Sequence, residues 1–255
     1  MLRPHWPLPD NVAIAFTDRY GGSSCAPYDS LNLGLHVGDN PQTVLANRHQ
    51  LSTLLTLPCE PLWLEQVHGV DIVSISELAN RASVPLADGS YSNQYGQVCA
   101  VMTADCLAVL LCDKQGCEVA AVHAGWRGLC AGVIEQAVKR FSMPASELIA
   151  CLGPCIGPNQ FEVGAEVRSA FMASAAADTS NAGLDNAIAD CFIPKVNATG
   201  KYLADMVGLA KLRLKQLGVD VVYSVDECTV SNNDYFSYRR DKQTGRMASL
   251  IWLKS

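Results

Sequence analysis

The sequence predicts an α+β fold on three observations. Apolar runs that read as strands alternate with helical patterns, but without a regular strand–helix–strand rhythm. Two of these runs are joined by Lys114, Gln115 and Gly116, the signal of an antiparallel hairpin rather than a crossover. The composition, 49% hydrophobic and 17% charged, supplies enough apolar side chains for a substantial core. No internal repeat, long linker or sharp compositional shift divides the chain, so residues 1–255 are expected to form a single domain.

The elements follow in order. Residues 12–17 read as a strand, and residues 18–32 as a loop punctuated by Gly, Ser and Pro that carries Arg19 and Asn32. Asn40 followed by Pro41 marks a helix start, with Val44, Leu45, Leu51, Leu54 and Leu55 as its apolar positions. Residues 71–75 form a short strand after a turn at His68 and Gly69. Residues 97–113 and 117–124 are the two arms of the hairpin. Leu129, Val133, Ala137 and Phe141 mark one helix face, and residues 148–152 a buried strand. Val163, Val167, Ala170 and Phe171 start another helix, which gives way to an Ala-, Ser-, Asp- and Asn-rich insertion around residues 173–186. Leu203, Met206, Val207, Ala210, Leu214 and Leu217 form a helix stopped by Gly218. Residues 219–225 and 247–253 read as closing strands.

The formal charge of −6 argues against broad binding to nucleic acid or an anionic membrane surface and leaves room for a local basic pocket. The N-terminal stretch has no apolar core of signal-peptide length, and no apolar run is long enough to span a bilayer. A soluble cytoplasmic protein is expected, and its eleven cysteines are expected to be reduced thiols, most of them core residues. Nothing in the pattern fixes an oligomeric state.

The hairpin carries the first chemical signal. With a two-residue turn, Cys112 faces Cys117, and Cys106 faces His123. Directly opposed residues of an antiparallel pair lie about 4.5–5.5 Å apart at Cβ and project from one face. That juxtaposition suits either a shared metal ion or a nucleophile–base pair. His68, at a turn before Gly69, is the third candidate ligand. Two imidazoles and a thiolate suit Zn²⁺, and three protein ligands leave the open position of a catalytic site. After His123, the segment Gly125, Trp126, Arg127 and Gly128 lies between a strand end and a helix start. It is expected to offer an anion-binding lip, with Arg127 as a bidentate donor and Trp126 as either a stacking surface or a core anchor.

Seven motifs then occur in order: FTDRYGGSS (Phe16–Ser24), SLNLGLHVGDNP (Ser30–Pro41), QVHG (Gln66–Gly69), TADC (Thr103–Cys106), VHAGWRG (Val122–Gly128), GPCIGP (Gly153–Pro158) and FSYRRDKQTGR (Phe236–Arg246). Together they closely resemble the bacterial YfiH family, also called laccase-domain or multicopper polyphenol oxidoreductase proteins. The resemblance runs from about Val12 to the C-terminus. It implies two packed mixed β-sheets flanked by helices, in α/β/β/α layers, and zinc ligands at His68, Cys106 and His123. It also implies a purine nucleoside enzyme, with phosphorolysis of adenosine, inosine, guanosine or methylthioadenosine, and deamination of adenosine, among the family's activities. Some members are associated with peptidoglycan editing.

Phosphorolysis needs positive groups to hold phosphate, and Arg19, Arg48 and Arg127 are the candidates, with Asn32 as a neutral donor; Arg239 and Arg240 are weaker ones. Deamination needs an acid/base partner, for which Asp105 and Glu65 are the candidates, Asp105 pointing to the opposite face of a regular strand. Five histidines are too few for a conventional multicopper laccase, although copper would compete for the zinc site. The alternatives are a metal-free Cys106–His123 hydrolase or deamidase, as also implied by resemblance to the deamidase domain of cytotoxic necrotising factor toxins, and a non-catalytic zinc-tied binding module.

Overall fold

Asn40 starts the first helix as its sequence predicts: its side-chain oxygen accepts from the N–H groups of Gln42 and Thr43. In the computed structural model, which describes residues 1–78, 83–176 and 183–254, this helix is α1 (Pro41–Leu55) and follows β1 (Val12–Phe16). It buries Val44, Asn47, Arg48, Leu51 and Leu55, whereas Leu45 and Leu54, expected on the apolar stripe, are exposed. Asn47 and Arg48 face inward because the preceding loop offers them backbone carbonyls. Asn47 donates to Ser30 and Asn32, and Arg48 to Leu33.

The chain continues through β2 (Ile72–Ser74), β3 (Gly89–Ser92), β4 (Val98–Thr103), β5 (Leu107–Asp113) and β6 (Val119–Ala124) to α2 (Trp126–Ala131) and α3 (Val133–Val138). Then come β7 (Leu148–Leu152), β8 (Glu162–Gly164), α4 (Ala165–Ala176), α5 (Leu184–Asp190), β9 (Phe192–Pro194) and β10 (Lys201–Ala204). The order closes with α6 (Met206–Leu217), β11 (Val221–Ser224), α7 (Tyr238–Asp241) and β12 (Met247–Leu253).

The strands form an antiparallel sheet of order β1-β12-β4, a mixed sheet of order β11-β7-β5-β6-β3-β2, and a small antiparallel sheet of order β8-β10-β9. The first two pack face to face. Ile14, Phe16, Cys99, Val101 and Ile251 of one meet Ala108, Leu110, Ala121 and Cys151 of the other. The outer face of the first sheet takes Leu51 and Leu55 of α1. The outer face of the second takes α2, α3, α4 and α6 through Leu129, Ile134, Phe171 and Leu209. The α/β/β/α layering expected from the resemblance is present. It differs in that the β1-β12-β4 sheet is purely antiparallel and a third small sheet is added. Every residue of β4, β5, β6 and β7 is buried, and each large apolar side chain so removed from water contributes about 1.5–3 kcal/mol.

Three expectations are corrected here. The apolar run 97–113 is two strands in two different sheets, because Asp105 turns the chain at φ 93. The helix expected over residues 129–141 breaks at Gly132, whose φ of 98 ends α2 and begins α3. Leu203 belongs to β10, since α6 starts only after Asp205, which caps Gly208 N–H. Of the insertion expected at 173–186, residues 177–182 lie outside the described residues, and its flanks are the ends of α4 and α5.

Candidate metal centre

Cys106 sits where the chain passes from one sheet to the other, directly after the turn at Asp105 and before β5. His123 is on β6, and His68 holds a φ of 61 in the loop before β2. The donor atoms of all three lie within 4.8 Å of one another, with Cys106 Sγ 3.7 Å from His68 Nε2. The two imidazoles meet edge to face at 4.7 Å between centroids.

The route to this cluster differs from the hairpin argument. Ala108, not Cys106, lies opposite His123. The turn is longer than two residues: Asp113 pairs with Glu118 across Lys114–Cys117, and its carboxylate accepts from the N–H groups of Gln115, Cys117 and Glu118. The slip is by two residues, so it preserves the sheet face, and Cys106 meets His123 as a diagonal neighbour.

Asp88, just before β3, organises the cluster. It is fully buried, and its carboxylate accepts from the backbone N–H groups of Val67, His68 and Gly69 at 3.2, 2.9 and 2.6 Å. The same carboxylate bonds Nδ1 of His123 at 2.8 Å, which leaves Nε2 as the nitrogen free to bind a metal. One side chain therefore fixes both the loop that bears His68 and the ring of His123. Its residue type went unremarked in the sequence because Ala-Asp-Gly reads as an ordinary turn.

The electrostatics suit a cation. Burial alone would raise the Cys106 thiol, but His123 and His68 outweigh it and pull it down to about 6. Burial would lower His123, but the Cys106 thiolate and the Asp88 carboxylate push it up to about 9. Burial also opposes charge on Asp88, yet His123 and the loop N–H groups hold it below its ordinary value. A thiolate and two imidazoles within ligand reach form a borderline-soft donor set suited to zinc.

The glycines of VHAGWRG serve packing. A Cβ on Gly125 would stand 2.6 Å from His68 Cδ2 and 3.3 Å from Cys106 Sγ, and one on Gly128 would stand 2.7 Å from the Gly69 carbonyl. The start of α2 is thus packed closely against the loop that bears His68. Trp126 is half-buried against the helical core with Arg127 stacked on its ring at 4.5 Å, so it is a core anchor that also shows an edge to a cavity.

Two cavities adjoin the cluster, and a third adjoins the central one. The central one, about 380 Å³, is lined by His68, Cys106 and His123 together with His36, Gln66, Tyr238 and Arg246. On one side it shares His36, Gln66 and Met102 with a cavity of about 400 Å³ bounded by Arg48, Trp63 and Glu65. On the other it shares Ala104, Cys106 and Tyr238 with an apolar slot of about 140 Å³ between Trp126, Ile156, Phe161 and Met206.

The polar candidates are distributed unevenly. Arg19 donates to the Asp29 carbonyl and lies over the Phe236 ring, and Arg127 is exposed; neither lines the central cavity. Asn32 is fully buried and accepts from the N–H groups of Gly34 and Arg246, which places it behind Arg246. Arg48 and Glu65 line the neighbouring cavity. Asp105 accepts from Thr229 Oγ1 and Arg239 N–H, each at 2.6 Å, and sits at the turn between β4 and β5 rather than on a regular strand. Arg239 donates to the Glu162 carbonyl, and Arg240 to those of Thr229, Val230 and Tyr235. The groups the sequence did not single out are Asp88, His36, Tyr238 and Arg246; the last closes the FSYRRDKQTGR motif. Arg246 fixes one nitrogen on the carbonyls of Thr244 and Gly245. Burial, Arg246 and Arg48 together hold His36 below its ordinary value.

Among the described residues, no helix is long and apolar enough to cross a membrane. A family model described as multi-copper polyphenol oxidoreductase laccase matches residues 13–254. A Shigella flexneri protein named purine nucleoside phosphorylase YfiH is 52% identical over 99% of this chain and 98% of its own length. A purine nucleoside phosphorylase of Pseudomonas aeruginosa is 47% identical over the same shares of both chains. A Neisseria meningitidis crystal structure superposes with a TM-score of 0.90 at 45% identity, covering 100% of this chain and 99% of that one. YlmD from Geobacillus stearothermophilus superposes at 0.85 with 28% identity, covering 99% and 96%.

Proposed function

The chain belongs to the family described as multi-copper polyphenol oxidoreductase laccase, and we propose that within it this protein is a zinc-assisted purine nucleoside phosphorylase. The observation that carries the reading is the central cavity, in which Arg246 and His36 share a space with the His68, Cys106 and His123 donor set. The names of the relatives, which align over nearly their full length, support it independently. Adenosine, inosine, guanosine and methylthioadenosine are the proposed substrates.

Phosphorolysis forms a bond from a phosphate oxygen to C1′ of the ribose and breaks the bond from C1′ to the purine, which departs with the electron pair and takes a proton. Arg246 is the phosphate anchor, because its guanidinium faces the cavity while two backbone carbonyls hold one of its nitrogens. Asn32 positions Arg246 through the backbone rather than touching phosphate itself. The apolar slot between Trp126 and Phe161 takes the purine ring, which removes water from the departing base. Asp88 keeps Nε2 of His123 directed at the donor cluster. A zinc ion, when bound, would supply Lewis acidity at an open coordination position beside the substrate.

Deamination of adenosine is a secondary reading. Its proton donor is hard to place, since Asp105 is committed to Thr229 and Arg239 and Glu65 lines the adjoining cavity. A multicopper oxidase reading would need further metal clusters, and His68, Cys106 and His123 form the one group of three or more such ligands among the described residues. A metal-free hydrolase is favoured by one observation, the low thiol of Cys106 against the raised His123.

Product analysis separates these. With adenosine and phosphate the purified protein is expected to release adenine and ribose 1-phosphate in equal amounts, and chelation is expected to abolish the reaction. Inosine and ammonia without a phosphate requirement would establish the deaminase. Hydrolysis that survives chelator and dies on thiol alkylation would establish the Cys106–His123 enzyme.

A further inference from the structure

Arg48 is a buried cation without a carboxylate partner. It is 7% exposed, and it makes no ion pair among the described residues. Nε and one terminal nitrogen donate to the Leu33 carbonyl, and the Met102 thioether lies 3.8 Å from the latter nitrogen. Trp63 covers the guanidinium at 4.1 Å, and Glu60 is felt only at longer range, being bonded itself to Ser52 and Trp63. Burial lowers Arg48 to about 10, which leaves it charged at neutral pH. A buried charge is disfavoured unless it is hydrogen-bonded and paired, and Arg48 has one carbonyl and one aromatic ring but no anion among the described residues.

The setting says where a counter-charge would come from. Arg48 lines the cavity of about 400 Å³ that shares His36, Gln66 and Met102 with the central cavity. Arg246 and Arg48 are therefore two cationic groups running outward from the donor cluster, with His36, which burial and both cations hold below its ordinary value, lining both cavities, in a chain whose net charge is −6. In the proposed reaction Arg246 holds the co-substrate phosphate in the central cavity. The cavity over Trp63 lies beside that site and shares His36, Gln66 and Met102 with it.

We propose that this second cavity is an anion subsite built on Arg48, and that it receives a phosphate group carried by the nucleoside itself, which makes nucleoside 5′-monophosphates the preferred substrates. The kinetic side rests on the phosphorylase reading. The reaction is the same one: inorganic phosphate bonds to C1′, the bond from C1′ to the purine breaks, and the purine leaves as the protonated base. The second product is ribose 1,5-bisphosphate.

The test compares adenosine, adenosine 5′-monophosphate and 5′-methylthioadenosine at saturating inorganic phosphate, using the metal-loaded protein and its R48Q and E65Q variants. A charge-assisted contact predicts a kcat/KM for the monophosphate about tenfold or more above that for adenosine. R48Q is expected to bring that ratio close to one. E65Q, which removes an exposed negative charge from the same cavity and leaves the buried contacts intact, is expected to raise it. Two results overturn the subsite. One is a gain for methylthioadenosine with none for the monophosphate, which marks an apolar slot. The other is an R48Q variant whose KM for inorganic phosphate rises equally with all three nucleosides, which makes Arg48 a co-substrate ligand. Equilibrium binding of adenosine and its monophosphate without inorganic phosphate keeps the two readings apart. Tighter monophosphate binding through Arg48 with no cleavage of any nucleoside sinks the phosphorylase and keeps the subsite. Cleavage with no monophosphate preference does the reverse.

Discussion

Asp88 and Asp113 are both fully buried, and each collects three backbone N–H groups from a tight loop. Asp113 gathers Gln115, Cys117 and Glu118 and closes the β5–β6 hairpin. Asp88 gathers Val67, His68 and Gly69 and makes one bond more, to Nδ1 of His123. That bond couples the loop bearing His68 to the strand bearing His123. The device that finishes a turn at one end of β6 thus assembles the His68, Cys106 and His123 cluster at the other, and the difference lies in what the loop carries.

Breaking the two aspartates should separate the roles. D88N leaves an amide nitrogen facing backbone donors and removes the charge behind His123, so zinc affinity is expected to fall about 10–100-fold, measured by competition with a chromophoric chelator. D113N is expected to cost about 1–3 kcal/mol in denaturant unfolding while zinc affinity holds. Equal loss of metal in both variants would mean that Asp88 acts only as loop scaffolding.

Glycines give a second contrast of smaller effect. In G125A the new methyl collides with His68 and crowds Cys106, and the expected result is a folded protein with weakened zinc binding. In G116A, at φ +69 and 2.1 Å from Asn11 Oδ1, the expected loss is more than about 1 kcal/mol of stability with the metal site intact. Zinc titrations and thermal melts of the pair decide it.

Acid titration gives the smallest effect. The folded-state pKa of Asp88 lies below the ordinary value of 3.8, so its contribution is fully present above that value and is lost as pH falls through the lowered one. Wild-type stability should therefore decline more steeply below the ordinary carboxylate range than that of D88N. Parallel curves would show that the carboxylate is not stabilised by its loop and ring partners.

The same contrast explains what could be read from the sequence. Strands made of unbroken apolar runs, such as β5, β6, β7 and β12, are legible because both faces are buried. β3 is not, since Gly89–Ser92 lacks strand-forming residues at its start. Gly89 is needed there because a Cβ would stand 2.5 Å from Ile72 and 2.9 Å from the Ala121 carbonyl. The pairing of Cys106 with His123 was reachable through a register wrong by two, because parity, not the turn, sets the face. Asp88 and Arg246 were out of reach: their roles depend on where distant loops meet, and neither residue type marks that alone. Arg48 is legible only as a positive group on a helix; its burial depends on the Leu33 carbonyl, the Trp63 ring and Met102, which distant parts of the chain bring to it.

The most direct measurement is X-ray absorption at the zinc edge of the metal-loaded protein, read beside zinc stoichiometry of wild type and C106A. A site built from His68, Cys106 and His123 predicts one sulfur at about 2.3 Å, two imidazole nitrogens at about 2.0–2.1 Å, and a C106A protein that folds but retains no zinc. A first shell without sulfur, or full zinc occupancy in C106A, would contradict the assignment.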